Sequence, residues 1–112
     1  MDTIEDALLR RMVEVIVREV NPETIILFGS RARGDARPGS DVDLLVIEKE
    51  PFSPQRSRRM EAARLYRQLA GFGVAKDLLL YSRDEVSQLA GSLNHVVGRA
   101  MREGRLLYEQ RA

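Results

Sequence analysis

The stretch Phe28-Gly29-Ser30-Arg31-Ala32-Arg33-Gly34-Asp35-Ala36-Arg37-Pro38-Gly39-Ser40-Asp41-Val42-Asp43 decides how this chain reads. It is entered from one apolar run, Ile25-Ile26-Leu27-Phe28, and leads into another, Leu44-Leu45-Val46-Ile47. Thr24 to Phe28 is continuous and β-branched, as a short buried strand is. Asp41 to Ile47 reads as the second strand. Between them come a Gly29-Ser30 turn, a helical turn over Ser30 to Arg33, and a Gly34–Ser40 loop. Backbone amides and a hydroxyl that can hold phosphate thus sit beside two carboxylates that can hold magnesium. The combination points to the handling of a nucleoside triphosphate.

Side chains alternate along a strand, so Asp41 and Asp43 share a face, roughly 6–7 Å apart at a rise of ~3.3 Å per residue. Val42 points the opposite way, into the core. Two carboxylates so placed can jointly ligate two divalent ions, which sit ~3.5–4 Å apart in two-metal sites. An Asp-x-Asp pair alone is more often a solvated strand start, and a lone Gly-Ser turn is usually only a turn. Together, between two strands, they carry weight. A third carboxylate, Asp77, stands within Val74-Ala75-Lys76-Asp77-Leu78-Leu79-Leu80. Buried-strand neighbours make an aspartate costly unless it is paired or metal-bound, the alternatives being an ion pair with a nearby arginine or an exposed edge position. If this strand adjoins the second, Asp77 can join the metal centre and act as base for an incoming hydroxyl.

Outward from this segment, Asp2 and Glu5 have capping-box spacing, and Leu8/Leu9, Met12/Val13, Ile16/Val17 and Val20 recur at helical period. Asn21-Pro22 ends that helix. Pro51 and Pro54 flank a break, after which a basic helix is expected from about Pro54 to Ala70, ended by Gly71-Phe72-Gly73. Val74 to Tyr81 reads as a third strand. Ser82 is an N-cap with acid in the turn behind it. A further helix spans about Ser92 to Glu103, and Arg105 to Tyr108 is a short last strand. The order helix, strand, strand, helix, strand, helices predicts one sheet in a small α/β or α+β domain over residues 1–112.

Bulk properties narrow the class. At 112 residues there is room for one domain with a modest core. A formal net charge of +1 argues against coating nucleic acid by charge alone, so nucleic acid is not expected as a direct partner. There are no cysteines, which excludes disulfides, thiolate metal sites and a cysteine nucleophile. No apolar run approaches the ~20 residues of a membrane span, and the acidic start lacks a signal-peptide pattern. A cytoplasmic protein with no membrane contact is the expectation. The helix carrying Arg56, Arg58, Arg59, Arg64 and Arg67 could face RNA or an acidic protein partner, or be just a solvated face. His95 sits among Leu93, Val96 and Val97 and reads as packing or surface. Tyr66, Tyr81 and Tyr108 read as amphipathic packing residues.

At its core motif the chain resembles the minimal nucleotidyltransferases of the DNA polymerase beta superfamily. Their hallmark is Gly-Ser, about ten residues, then Asp-x-Asp. Gly29-Ser30, the residues Arg31 to Ser40, and Asp41-Val42-Asp43 match it. Asp77 falls where the third carboxylate is expected, and Glu103-Gly104-Arg105-Leu106-Leu107-Tyr108 looks like the family's usual ending. The resemblance implies a small mixed sheet with helices packed mainly on one face. It implies transfer of a nucleoside monophosphate, with AMP from ATP the expected case, to a hydroxyl with loss of pyrophosphate. Carried over by position, Gly29 and Ser30 would hold the β- and γ-phosphates, with Arg31, Arg33 and Ser40 in the nucleotide-binding set. Asp41 and Asp43 would bind two Mg²⁺ ions, and Asp77 would complete the ion that activates the acceptor.

Minimal members often occur beside a small helical HEPN protein as a toxin–antitoxin pair. The nucleotidyltransferase then neutralises the HEPN ribonuclease, in some cases by placing AMP on a tyrosine. The chain holds no second domain to grip an acceptor, which favours a protein partner of that kind; a homodimer could also supply a missing wall. Two other readings stand beside this one. The chain could be a non-catalytic antitoxin that silences its partner by occlusion, or it could modify a small-molecule hydroxyl.

Overall fold

A computed structural model describes residues 3–111. In it, α1 (Ile4–Val20) leads through Asn21-Pro22 into β1 (Thr24–Phe28), a single turn of helix α2 (Ser30–Arg33) and β2 (Val42–Glu48). Helix α3 (Arg58–Leu69) and a 3₁₀ turn (Ala70–Phe72) connect to β3 (Lys76–Ser82). Then come α4 (Arg83–Leu89), α5 (Val96–Glu103) and β4 (Arg105–Glu109). The four strands form one mixed sheet in the order β3-β2-β1-β4. Strand β2 runs antiparallel to β1 and parallel to β3, and β4 is antiparallel to β1.

Alternation sorts the sheet into two faces. Ile25, Leu27, Val42, Leu44, Val46, Leu78 and Leu80 face Leu9, Met12 and Ile16 of α1 and Leu65 and Leu69 of α3 in the larger core. Here α1 contributes one stripe at a spacing of three to four residues, as its periodicity requires. On the other face Ile26, Leu45 and Ile47 meet Val86 of α4 and Val97 and Ala100 of α5. The two longest helices therefore share one face, as expected, and the two shorter C-terminal helices cover part of the other.

Local chemistry moved several boundaries. Asp2 lies outside the described residues, and the capping box falls one residue on: Thr3 accepts from the Asp6 N–H and the Asp6 carboxylate accepts from the Thr3 N–H. Asn21 closes α1 in the left-handed region at φ 46°, donating to Val17. Helix α3 starts at Arg58, not near Pro54, because Ser57 caps it by accepting from the Met60 N–H, while Ser53 and Arg56 pair backbone to backbone in a turn before it. Helix α5 starts at Val96 because His95 takes the cap position and its Nδ1 accepts from the Val97 N–H. Of the basic residues in and before α3, Arg56 meets Glu48 and Glu61, Arg58 meets Glu85 and Arg64 meets Glu19. That face is partly tied within the chain.

One feature of this packing is electrostatic. Glu48, the last residue of β2, is 5% exposed and faces Glu61 of α3. Burial pushes its carboxyl up to about 8, helped by a hydrogen bond to Glu61 and by that neighbour's charge, against the pull of Arg56. The folded chain thus holds a proton that the unfolded chain releases near 4.5. The stability it contributes is full below about pH 4.5 and is lost as pH rises towards about 8. The thermal unfolding midpoint should fall between about pH 5 and about pH 9, and Glu48→Gln should flatten that slope. An equally steep decline in the variant would assign the effect elsewhere.

Candidate active site

The end of β1 and the beginning of β2 are directly opposed: Phe28 pairs with Asp43. On the other side of β2, Asp43 is in register with Asp77 of β3. Paired residues in neighbouring strands point to the same face. Phe28, Asp43 and Asp77 therefore form a row across three strands, on the face that α4 and α5 cover only in part. Asp41 lies just before the first residue of β2 and is exposed, as is Asp77. Of the two placements open to Asp77, a paired or metal-bound buried position and an exposed edge position, the structure has the second, near the start of an edge strand. Its claim to the site rests on register instead of on the cost of burial.

Gly29 bends the chain away from β1 at φ 74°, in the left-handed region, and caps α2. A methyl group built on it would overlap Asp43 Oδ2 and come within 3.1 Å of Asp43 Cγ. The backbone angle favours glycine here, and any side chain would also make the Asp43 carboxylate turn aside. The carbonyl of Gly29 accepts from the amides of Ala32 and Arg33, each at 3.1 Å. Ser30 and Arg31 open the turn, where the first amides of a helix have no carbonyl within it to bond.

Arg31, named above for the nucleotide-binding set, is engaged within the chain. Its Nε donates to the carbonyls of Ser40 and Asp41, each at 3.2 Å, and its Nη2 donates to Ser40 at 2.6 Å. Nη1 pairs with Glu5 of α1. The guanidinium thereby ties the far end of the loop to the first helix and fixes the backbone of Asp41. Ser40 also belongs to the loop's own framework, its Oγ accepting from the Arg37 N–H at 2.9 Å. Arg33 is exposed and pairs with Asp35.

Electrostatics single out Asp43. Burial raises its carboxyl above the ordinary carboxylate range, the charges of Asp77 and Asp41 raise it further, and Arg31 and Arg33 oppose them. Three carboxylates that repel one another form a donor set that a cation relieves, and hard oxygen donors suit Mg²⁺. Among the described residues no three acidic or imidazole side chains converge into a ready-made cage. The set fits an ion whose remaining ligands come from water or a substrate phosphate, as Mg²⁺ sites commonly do.

Two contributors had no signal in the sequence. Glu5 reaches Arg31 across 26 positions. A hollow of about 150 Å³ beside Gly29 is walled by Phe28, Val96 and Arg99, with Arg33 and Glu103 at its edge. Only packing brings α5 there, although the β1–β2 register could have flagged Phe28.

With this geometry in view, the family can be stated. The nucleotidyltransferase domain model matches residues 9–106, and the chain belongs to that family. Among solved structures, a minimal nucleotidyltransferase is 31% identical, with a TM-score of 0.61 over 91% of this chain and 94% of that one. A nucleotidyltransferase from Sulfolobus solfataricus is 20% identical, with a TM-score of 0.58 over 93% of this chain and 79% of that one. A toxin–antitoxin structure with AMP-PNP is also 20% identical, with a TM-score of 0.53 over 91% and 74%. The last two likenesses show the fold. No curated protein matched.

The Gly29–Asp43 contact can be checked without any activity. Gly29→Ala should cost about 1 kcal/mol or more, from strain at positive φ plus the overlap. In an Asp43→Ala background the cost should drop by about 1 kcal/mol, because the overlap is gone and only the strain remains. Chemical denaturation of the four proteins gives the coupling; strict additivity would mean that the Asp43 carboxylate turns aside at no cost.

Proposed function

We propose that this chain is a divalent-metal-dependent nucleotidyltransferase that moves AMP from ATP to a hydroxyl on a HEPN-type toxin partner, and so acts as its antitoxin. The observation that carries the chemistry is the row Phe28–Asp43–Asp77 with the Gly29–Ser30 turn lying against it. Asp41, Asp43 and Asp77 would hold Mg²⁺, which supplies charge neutralisation on the phosphates and lowers the pKa of an acceptor hydroxyl. Gly29, Ser30 and the first amides of α2 would receive the β- and γ-phosphates. Asp77, exposed on the edge strand, would take the acceptor's proton. Phosphoryl-type transfer asks for positioning and charge neutralisation more than for covalent help, which suits a site built of carboxylates and backbone donors. The partner reading is supported by the toxin–antitoxin complexes among the structural relatives, including MntA–HpeT.

Intact-mass spectrometry tests this directly, on the protein co-expressed with the product of its neighbouring reading frame and incubated with Mg²⁺ and each NTP. One or more nucleotidyl units should appear on the neighbour. Asp41→Asn or Asp43→Asn should reduce transfer by at least about 10²-fold while the fold is kept. A tight complex with no mass change under any NTP would overturn transfer in favour of occlusion.

Arg31 gives a second test. Arg31→Ala should lower transfer by about 10–10² fold by freeing the backbone of Asp41, since small misplacements are costly at such sites. Arg31→Lys should recover only part, because an ammonium cannot reach Glu5 and both carbonyls at once. Full activity in Arg31→Ala would show that the loop needs no latch.

A further inference from the structure

The three carboxylates of the candidate site are not equally supported by the backbone. Asp43 stands in a strand paired on both edges, and the carbonyl of Asp41 accepts from Arg31. Asp77 is the second residue of β3, which pairs with β2 alone. The chain enters β3 from Gly73-Val74-Ala75, with Gly73 in the left-handed region at φ 67°. A strand start with one open edge is where local opening costs least.

One side chain grips that open edge beside Asp77. The Leu78 N–H donates to Tyr66 Oη at 2.8 Å. This amide belongs to the peptide unit that joins Asp77 to Leu78. In a trans peptide the N–H and C=O point in opposite directions, so the same unit turns the Asp77 carbonyl towards β2. The unit that follows Asp77 is therefore held from both sides. The one other amide of β3 met by a side chain among the described residues is that of Ser82, and its partner Glu85 belongs to the capping box of α4. The Tyr66 bond serves no helix cap.

Tyr66 also departs from the apolar stripe of its helix. Leu65 and Leu69 are the buried residues of α3, while Tyr66 is 37% exposed. Leu78 packs with Leu65 and Leu69 in the larger core, so Asp77 faces the opposite side of the sheet. The phenol thus grips the strand from the α3 side, away from the face that carries the Asp77 carboxylate.

We propose that Tyr66 is a positioning residue for the transfer reaction: its hydroxyl fixes the peptide unit after Asp77 and so holds that carboxylate in register with Asp43 for a shared metal ion. The inference rests on the reading of Asp77 as metal ligand and base. Tyr66 itself touches neither nucleotide nor acceptor and acts through Asp77. Groups that orient a metal ligand commonly contribute about 10–100-fold in metal affinity or activity.

Mn²⁺ titrated into the whole chain, with the free ion followed by its paramagnetic resonance signal, reads the site without any transfer. Tyr66→Phe should weaken Mn²⁺ binding about tenfold. In an Asp77→Ala background the same substitution should leave Mn²⁺ affinity unchanged, because the group it positions is gone. Thermal unfolding of the four proteins separates the structural part, since the midpoint should fall by a similar amount in both backgrounds. In the transfer assay Tyr66→Phe should lower kcat about tenfold and leave KM for the NTP within about twofold, the phosphates being received at the β1–α2 turn. Equal Mn²⁺ affinity in the parent chain and Tyr66→Phe, or an equal loss in both backgrounds, would overturn the positioning role and leave the bond to seal the sheet edge. No Mn²⁺ binding by the parent chain would remove the metal reading of the three carboxylates, and the role of Tyr66 with it.

Discussion

Strand β2 is buried on both faces, and the rest of the molecule is arranged around that constraint. Val42, Leu44 and Val46 are sealed under α1 and α3, while Leu45 and Ile47 are covered by α4 and α5. A strand fixed from both sides and paired on both edges cannot slip by one residue without inverting every side chain. The polar residues at its two ends are thereby held in place: Asp43 where the strand begins, Glu48 where it finishes. Each shows the electrostatic sign of that position, a carboxyl raised by burial and by neighbouring acids. Hydrophobic packing in the middle is what holds two unfavourable charge arrangements at the ends.

The loop between β1 and β2 is held by different means. It is exposed through most of its length and buries no apolar side chain from Gly34 to Gly39. Its order comes from polar ties: Gly29 against Asp43 at one end, and at the other the Arg31 fork to Ser40, Asp41 and Glu5. A guanidinium suits the second task because its planar donors can serve two carbonyls and a carboxylate together. Arg31 thus ties the loop to α1, and of the two arginines in the motif only Arg33 is exposed.

A large part of this was legible from the order of residues. The Ile25–Phe28 and Leu44–Ile47 runs named the two central strands because continuous apolar β-branched segments have few other uses. Gly29-Ser30 and Asp41-x-Asp43 named the site because their chemistry is local. The helix starts were less legible, since a cap depends on which of several polar residues folds back. Ser57 and His95 took that place, where Pro54 and Ser92 had marked the expected helix starts. For Asp77 the apolar neighbours left both a buried and an exposed edge position open, and only strand order decided for the exposed edge.

The sequence by itself determined the sheet's central pair, the sharp turn at Gly29 and the chemical type of the candidate site, because periodicity, glycine geometry and donor type act over a few residues. Tertiary structure alone decided what meets across the chain. It aligned Asp77 with Asp43, brought Glu5 onto Arg31, and turned Val96 and Arg99 of α5 towards Gly29. It also closed Glu48, Glu61, Arg56 and Gln110 around one cavity. Such meetings depend on strand order and on the depth at which helices settle, and these are set by the packing of the whole core, not by any local pattern.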